Sequence, residues 1–269
     1  MTDSELPEVD PVTLRRGSRI PILGFGTWQI SGAAAYDAVA TALELGYRHI
    51  DTATVYGNES EVGQALAASG LLRGEVFVTT KLPGNATKVR KTIEQSLSDL
   101  RLDYVDLWLI HWPPAQSYRR ASSSSRTMYE EMLALRDEGL IRAVGVSNYS
   151  TKKIDELIAA TGECPEVNQI PWSPFQHDAS TRRELDARNV CLEGYSPIAL
   201  SRLADPALVS IAASHGVSAV QVVLRWHVQH GVVVLPKSEH RERIRENFDL
   251  FGFALDQEEM ARLDSLSTR

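Results

Sequence analysis

The chain has 269 residues and a formal net charge of −7, from 28 Lys and Arg against 35 Asp and Glu, with 43% hydrophobic and 23% charged residues. This is the composition of a globular domain. No apolar run approaches the ~20 residues of a membrane helix, and no long basic stripe offers itself to nucleic acid. Cys164 and Cys191 are too few for a disulfide framework or a four-ligand zinc site. The expectation is a cytoplasmic monomer that meets neither nucleic acid nor membrane. Residues 1–11, "MTDSELPEVDP", lack an apolar signal core and read as a short flexible tail before one domain over 12–269.

Next comes "VTLRRGSRIPILG", a Gly-Ser turn between two extended arms, which predicts a β-hairpin. Eight short apolar runs follow: "ILGFGTW" (22–28), "RHIDTA" (48–53), "VFVTTK" (76–81), "YVDLWLIH" (104–111), "IRAVGVSN" (141–148), "EVNQI" (166–170), "CLEGYSP" (191–197) and "VVVLPK" (232–237). Near-continuous apolar runs of this length describe parallel strands covered on both faces. Helical patterns alternate with them. Residues 87–101 align Val89, Ile93, Leu97 and Leu100, and 151–160 align Ile154, Leu157 and Ile158 behind a Ser150 cap. The segments 205–215 and 217–230 put two helices into one connection. Eight strands with eight crossovers predict an α/β fold, a (β/α)8 TIM barrel whose N-terminal hairpin closes its bottom. A doubly wound sheet is the alternative.

In a barrel the strand C-termini form the active face. Asp51, Lys81 and His111 end the second, third and fourth strands, and Tyr56 follows Asp51 in the next loop. Ser147, Asn148, Gln169, Tyr195, Ser196 and Lys237 end the later strands. Each alone reads as a helix cap, a solvated lysine or a structural histidine. Complementary chemistry at matching positions of three successive strands reads differently. A lysine ~4 Å from a phenol stabilises its anion by up to roughly 4 kcal/mol at a dielectric of 20, enough to lower a tyrosine pKa by as much as ~3 units before desolvation. Asp51 would hold Lys81, and His111 would donate to a substrate carbonyl oxygen. Together these groups would deliver a proton to an oxygen gaining negative charge. That is half of a carbonyl reduction; the other half is a hydride.

The segments "GYRHIDTATVYGNESEVGQAL", "FVTTKL", "SLSDLRLDYVDLWLIHWP", "GVSNY" and "LPKSEHRERIRENFDLFGFAL" resemble the signature segments of the aldo-keto reductase family, over about residues 12–266. The likeness is to short-tailed bacterial members of the diketogluconate and prostaglandin reductase type. It implies a (β/α)8 barrel, NADPH/NADP+ as cofactor, a small-molecule carbonyl substrate, and Asp51, Tyr56, Lys81 and His111 as catalytic tetrad with Tyr56 as general acid. It further implies Ser147, Asn148 and Gln169 at the nicotinamide carboxamide, Tyr195 stacked on the ring, and Ser196, Pro197 and Ile198 along the pyrophosphate. Lys237, Ser238 and Arg243 match 2′-phosphate contacts, and Glu246 and Asn247 match adenine contacts. Trp28 and Trp112 join Tyr56 and His111 around the substrate, with Trp172 as a further candidate wall.

Some features depart from the family pattern. "PWSPF" replaces the usual Glu and aromatic-His-Pro run after Gln169, and Glu239 and His240 stand beside the phosphate position. The loop after Tyr195 is short, and the C-terminus lacks an enclosing tail, so the pocket is expected to be open on that side. "GFGTWQ" has Gln29 where a dinucleotide fingerprint needs its third glycine. His227 and His230 lie one helical turn apart without a third ligand, so no metal is expected. "RRASSSSR" (119–126) reads as a basic, flexible and solvated loop above the active face, with substrate choice as a second role, and it lies within the specificity segment 113–127. A cofactor-sensing regulatory or binding subunit on the same fold is the alternative function. The complete tetrad favours an enzyme.

Overall fold

Val, Ile and Leu runs in this chain are covered from both sides, by helices outside and by other strands within. The computed structural model describes residues 11–114 and 124–267. The expected tail, except Pro11, and residues 115–123 of the polar loop lie outside the described residues.

Val12–Thr13 (β1) and Arg19–Ile20 (β2) pair antiparallel. Gly17 turns between them at φ +95°, a left-handed backbone that glycine reaches without steric cost. Leu14 and Ile20 of this hairpin are buried with Phe77, Leu107, Leu109, Ala143, Val167 and Val233. The hairpin therefore closes the end of the sheet where the strands begin, as the sequence predicts.

The other strands are Phe25–Gly26 (β3), His49–Asp51 (β4), Phe77–Leu82 (β5), Val105–Ile110 (β6), Ile141–Ser147 (β7), Val167–Pro171 (β8), Cys191–Tyr195 (β9) and Val233–Leu235 (β10). All eight run parallel, each beside its neighbour in sequence. The first and last also meet: Leu23 bridges Val234, the Gly24 amide donates to Val234 O at 2.9 Å, and the Gly26 amide donates to Pro236 O at 3.0 Å. A doubly wound sheet would reverse its strand order and stay open. This sheet does neither, so it is a (β/α)8 barrel. Side chains alternate across it, with Leu107 and Leu109 in the inner cluster and Trp108 and Ile110 in the outer one.

Ala33–Leu45 (α1), Glu59–Ala68 (α2), Val89–Leu100 (α3), Ser125–Asp137 (α4), Thr151–Thr161 (α5) and Ala179–Ala187 (α6) fill successive crossovers. Pro206–His215 (α7) and Ala219–Gln229 (α8) share the connection between β9 and β10, and Arg241–Phe248 (α9) and Gln257–Asp264 (α10) follow. The predicted faces are the buried ones. Val89, Ile93, Leu97 and Leu100 pack inward from α3, and Ile154 and Leu157 from α5. The Ser150 hydroxyl caps α5 by accepting from the Lys153 amide at 3.3 Å. No single helix among the described residues is long and apolar enough to cross a membrane.

Gly63 lets α2 approach the end of α3, because a Cβ built on it would stand 2.6 Å from the Leu100 carbonyl oxygen. Backbone cannot yield there as a flexible side chain can. Gly63→Ala is therefore expected to destabilise the barrel by about 1–3 kcal/mol, read as a lower midpoint in thermal or denaturant unfolding. A midpoint equal to the parent's would refute the close-packing reading.

Candidate active site

At the C-terminal end of the strands lies a cavity of about 640 Å³ lined by Asp51, Tyr56, His111, Ser147, Asn148, Gln169, Tyr195 and Lys237, among others. The barrel thus gathers residues scattered from the second to the eighth strand into one concave site of ligand size.

Asp51 lies at its floor, with Lys81 buried behind it. Lys81 is fully buried, and its Nζ donates to Asp51 Oδ1 at 2.6 Å and to the Thr52 carbonyl at 2.8 Å. Burial opposes the ammonium charge, but Asp51, Tyr56 and Glu193 outweigh it and hold the Lys81 pKa above the ordinary value. Tyr56 closes a single 3-10 turn, Thr54–Tyr56. That turn is tied down on both sides: Thr54 Oγ1 donates to the Lys81 carbonyl at 2.9 Å, and Asn58 Nδ2 donates to the carbonyls of Thr27 at 2.9 Å and Ile30 at 2.8 Å. Thr52 Oγ1 completes the net by donating to Asn58 Oδ1 at 2.8 Å. Lys81 Nζ lies 5.2 Å from the centre of the Tyr56 ring.

The expected lowering of the Tyr56 pKa is not what results. Desolvation is the largest influence and raises it, Lys81 lowers it, and Asp51 and Glu193 raise it again. The net direction is upward, because burial outweighs the lysine charge that would favour the phenolate, and the aspartate beside that lysine opposes it further. His111 stacks edge-on to Tyr56, ring centres 5.7 Å apart. Burial, then Lys81, pushes His111 down to about 3. Its imidazole is therefore neutral at pH 7 and donates through a single N–H.

The second group of residues faces this floor. Asn148 adopts φ +64° at the end of β7. Its Nδ2 donates to Ser147 Oγ and to the His111 carbonyl, both at 3.0 Å, and its Oδ1 accepts from Tyr195 Oη at 2.8 Å. Ser147 Oγ donates to the Gln169 carbonyl at 2.8 Å. Gln169 Nε2 donates to Asp51 Oδ2 and to Glu193 Oε2, each at 2.8 Å. Ser196, at φ +55°, turns the chain so that Pro197 and Ile198 form one wall.

Lys237 lines the far end of the cavity, with Glu239 Oε1 3.6 Å from its Nζ. Ser238, Arg243, Glu246 and Asn247 are not in the cavity wall; they follow β10 on the turn and on α9. Ser238 Oγ accepts from the His240 amide at 3.1 Å. Arg243 is exposed and makes no ion pair with another described residue. Trp28 and Trp112 line the mouth and are half exposed, at 50% and 54%. Trp172 does not join them. It is buried, with its ring 5.8 Å from that of His177 on the outer side of β8. Pro171 ends β8 and the following turn sends the indole outward.

Some lining residues escape sequence reasoning. Val55 is 59% exposed beside Tyr56, and only the barrel shows that it faces the cavity. Gln29, Ala199 and Pro236 also line it. Among the described residues, none after Lys237 lines the cavity, and no group of three His, Cys, Asp or Glu is placed to hold a metal. His227 is buried against the carbonyls of Val223 and Trp172, whereas His230 meets Asp264 at 2.8 Å, so the two do not converge.

Comparison with known proteins agrees with the barrel fold. The Aldo/keto reductase family model matches residues 22–268. An aldo-keto reductase of Mycolicibacterium smegmatis is 40% identical over 262 residues, 96% of this chain and 91% of that protein. The crystal structure of an aldo/keto reductase from Brucella melitensis superposes with a TM-score of 0.91 at 40% identity, over 98% of this chain and 100% of the other. A Bombyx mori aldo-keto reductase, solved in complex with NADP, gives a TM-score of 0.89 at 32% identity, over 97% and 94% of the two chains. The chain belongs to the aldo-keto reductase family, whose members reduce carbonyl groups with NAD(P)H.

Proposed function

We propose that this protein is an NADPH-dependent reductase of small aldehydes and ketones, with Tyr56 as the proton donor. The observation that carries this reading is the buried Lys81–Asp51 pair set beneath a Tyr56 that shares its cavity with a neutral His111. The bound nicotinamide supplies the hydride. The chain's own groups do the rest. The His111 N–H and the Tyr56 hydroxyl orient the carbonyl oxygen, and both hydrogen bonds strengthen as that oxygen becomes an alkoxide. A raised Tyr56 pKa suits a general acid. The phenol keeps its proton until the alkoxide, a far stronger base, takes it, and Lys81 stabilises the phenolate left behind. Tyr56→Phe is expected to abolish most aldehyde reduction while NADPH affinity, measured by tryptophan fluorescence titration, stays nearly unchanged. Near-parental turnover in a folded Tyr56→Phe variant would sink the assignment.

Ser147, Asn148, Gln169 and Tyr195 form the proposed nicotinamide site, and Ser196, Pro197 and Ile198 the pyrophosphate wall. The NADP complex of the Bombyx mori relative supports the cofactor. For the 2′-phosphate the chain offers Lys237, Ser238 and Arg243, with Glu246 and Asn247 toward the adenine. Lys237 is partly neutralised by Glu239, so Arg243 carries most of the discrimination, as a planar donor able to bind two phosphate oxygens. Arg243→Ala is expected to weaken NADPH by roughly tenfold or more, the loss of one charge-assisted hydrogen bond of about 1.5–3 kcal/mol, with little change for NADH. Equal losses for the two cofactors would show that Arg243 does not read the phosphate.

The substrate mouth is apolar and open, with Trp28, Val55 and Trp112 around a polar floor. Such walls discriminate by only ~1–3 kcal/mol per methylene, so compact carbonyls of varied shape should be accepted. In a series of aldehydes of increasing size, kcat/KM is expected to vary gradually, with Trp28→Ala costing most for aromatic substrates. One carbonyl preferred by orders of magnitude over its close analogues would argue for a dedicated site instead.

A further inference from the structure

Below the cavity floor sits a carboxyl group that the proton transfer does not use. Glu193 lies in the middle of β9, fully buried, and points to the same barrel interior as Asp51. Its Oε2 accepts from Gln169 Nε2 at 2.8 Å, and the same nitrogen donates to Asp51 Oδ2 at 2.8 Å. One amide group therefore joins two carboxyl groups. Glu193 Oε1 has no hydrogen-bond partner among the described residues. His49 Nε2 stands 3.7 Å from it, but burial holds His49 neutral, down at about 3, so this contact is not an ion pair.

We propose that Glu193 is a positioning residue for the tetrad: its carboxyl group locks the Gln169 amide with the NH2 turned into the barrel, and its one proton sets the charge that Tyr56 senses from below. The inference rests on the carbonyl-reductase reading of the same site.

The first part follows from donor and acceptor counting. An amide has one carbonyl oxygen and one NH2. With both N–H groups held by Asp51 and Glu193, Gln169 keeps its Oε1 as the acceptor for a ligand in the cavity. Such an oxygen fits the NH2 of a carboxamide. Without Glu193 only Asp51 would restrain the amide, which could then turn its NH2 outward.

The second part follows from the charges around Glu193. The titratable groups around it are His49 and Asp51 on β4, Lys81 on β5, Tyr56 in the loop after β4, and Cys191 on β9 itself. On β10 its register partner is Val233. Lys81 is the one cation in this set and is already engaged by Asp51. A second negative charge here would have a single donor for its two oxygens and no cation of its own. Burial, then the Asp51 charge, accordingly raises the Glu193 pKa well above the carboxylate range. Once ionised, Glu193 raises both Tyr56 and Lys81. Alkaline solution therefore adds a charge under the tetrad that helps Tyr56 keep its proton.

Two substitutions separate these effects. Glu193→Gln retains an acceptor for Gln169 but cannot ionise, and Glu193→Met removes both. NADPH dissociation constants would be measured by fluorescence titration, and kcat/KM for an activated aldehyde from about pH 6 to pH 11. Glu193→Gln should bind NADPH within about twofold of the parent, with its alkaline limb moved to lower pH by on the order of half to one unit. Glu193→Met should weaken NADPH by roughly tenfold. An alkaline limb that coincides with the parent's in Glu193→Gln, or parental affinity in a folded Glu193→Met, would overturn the proposal. If Glu193→Met fails to fold, the pH profile of Glu193→Gln decides. A parent that binds NADPH yet reduces no aldehyde would defeat the reductase reading alone, and the affinity comparison would still test Glu193.

Discussion

A lysine ammonium with no exposure to solvent is the constraint around which this barrel is organised. Taking a cation out of water costs several kcal/mol even after the protein relaxes, and Lys81 recovers much of that cost through its hydrogen bonds to Asp51 and the Thr52 carbonyl. Both partners belong to the strand next to its own and the residue that follows it. They stay in place because β4 and β5 run in fixed register, with Asp51 opposite Thr79, two residues before Lys81. Closure of the sheet through Gly24 and Gly26 fixes β3 against β10 as well, so no strand edge is free to drift. The rigidity that the cation demands is also what holds Tyr56 above it.

That arrangement changes the role of the lysine. Viewed as an isolated neighbour of a phenol, it should make the tyrosine a stronger acid. Inside the barrel its field reaches Tyr56 together with that of Asp51, and the low dielectric penalises a phenolate. The resting tyrosine is consequently a weaker acid than in water. In the proposed reaction the pair supplies a cation already in place when charge appears on the phenol oxygen during proton transfer. Preorganised charge of this kind acts on the transition state without first having to reorient.

The same contrast explains what could be read from the chain alone. Strand positions were legible because period and apolarity are local properties. Val89, Ile93, Leu97 and Leu100 reveal the buried face of α3 for the same reason. The strand-end placement of Asp51, Lys81 and His111 was legible once eight strands implied a barrel. The orientation of Trp172 was not, since it depends on how the chain leaves β8 after Pro171. Neither was Glu193, which looks like an isolated acid in "CLEGY" and acquires partners only when β4, β5 and β8 close around it. The sign of the Tyr56 shift belongs to this class too, for it is a sum over groups distant in sequence.

Around the rigid floor the cavity becomes progressively less constrained. Asn148 and Tyr195 hold each other, and Ser147 is tied to β8, so the middle of the site is shaped before any ligand arrives. At the mouth, Trp28, Val55 and Trp112 are half exposed and few hydrogen bonds fix them. At the far end, Lys237 shares its charge with Glu239, and outside the cavity wall Arg243, exposed on α9, makes no ion pair with another described residue. The gradient follows from the barrel itself. Strand residues inherit the register of the sheet, whereas loop residues answer only to their own turns. Chemistry placed on the strands is therefore insensitive to surface substitution. In the proposed function, discrimination between carbonyls, or between phosphorylated and plain cofactors, rests on side chains that can change without disturbing the buried cation.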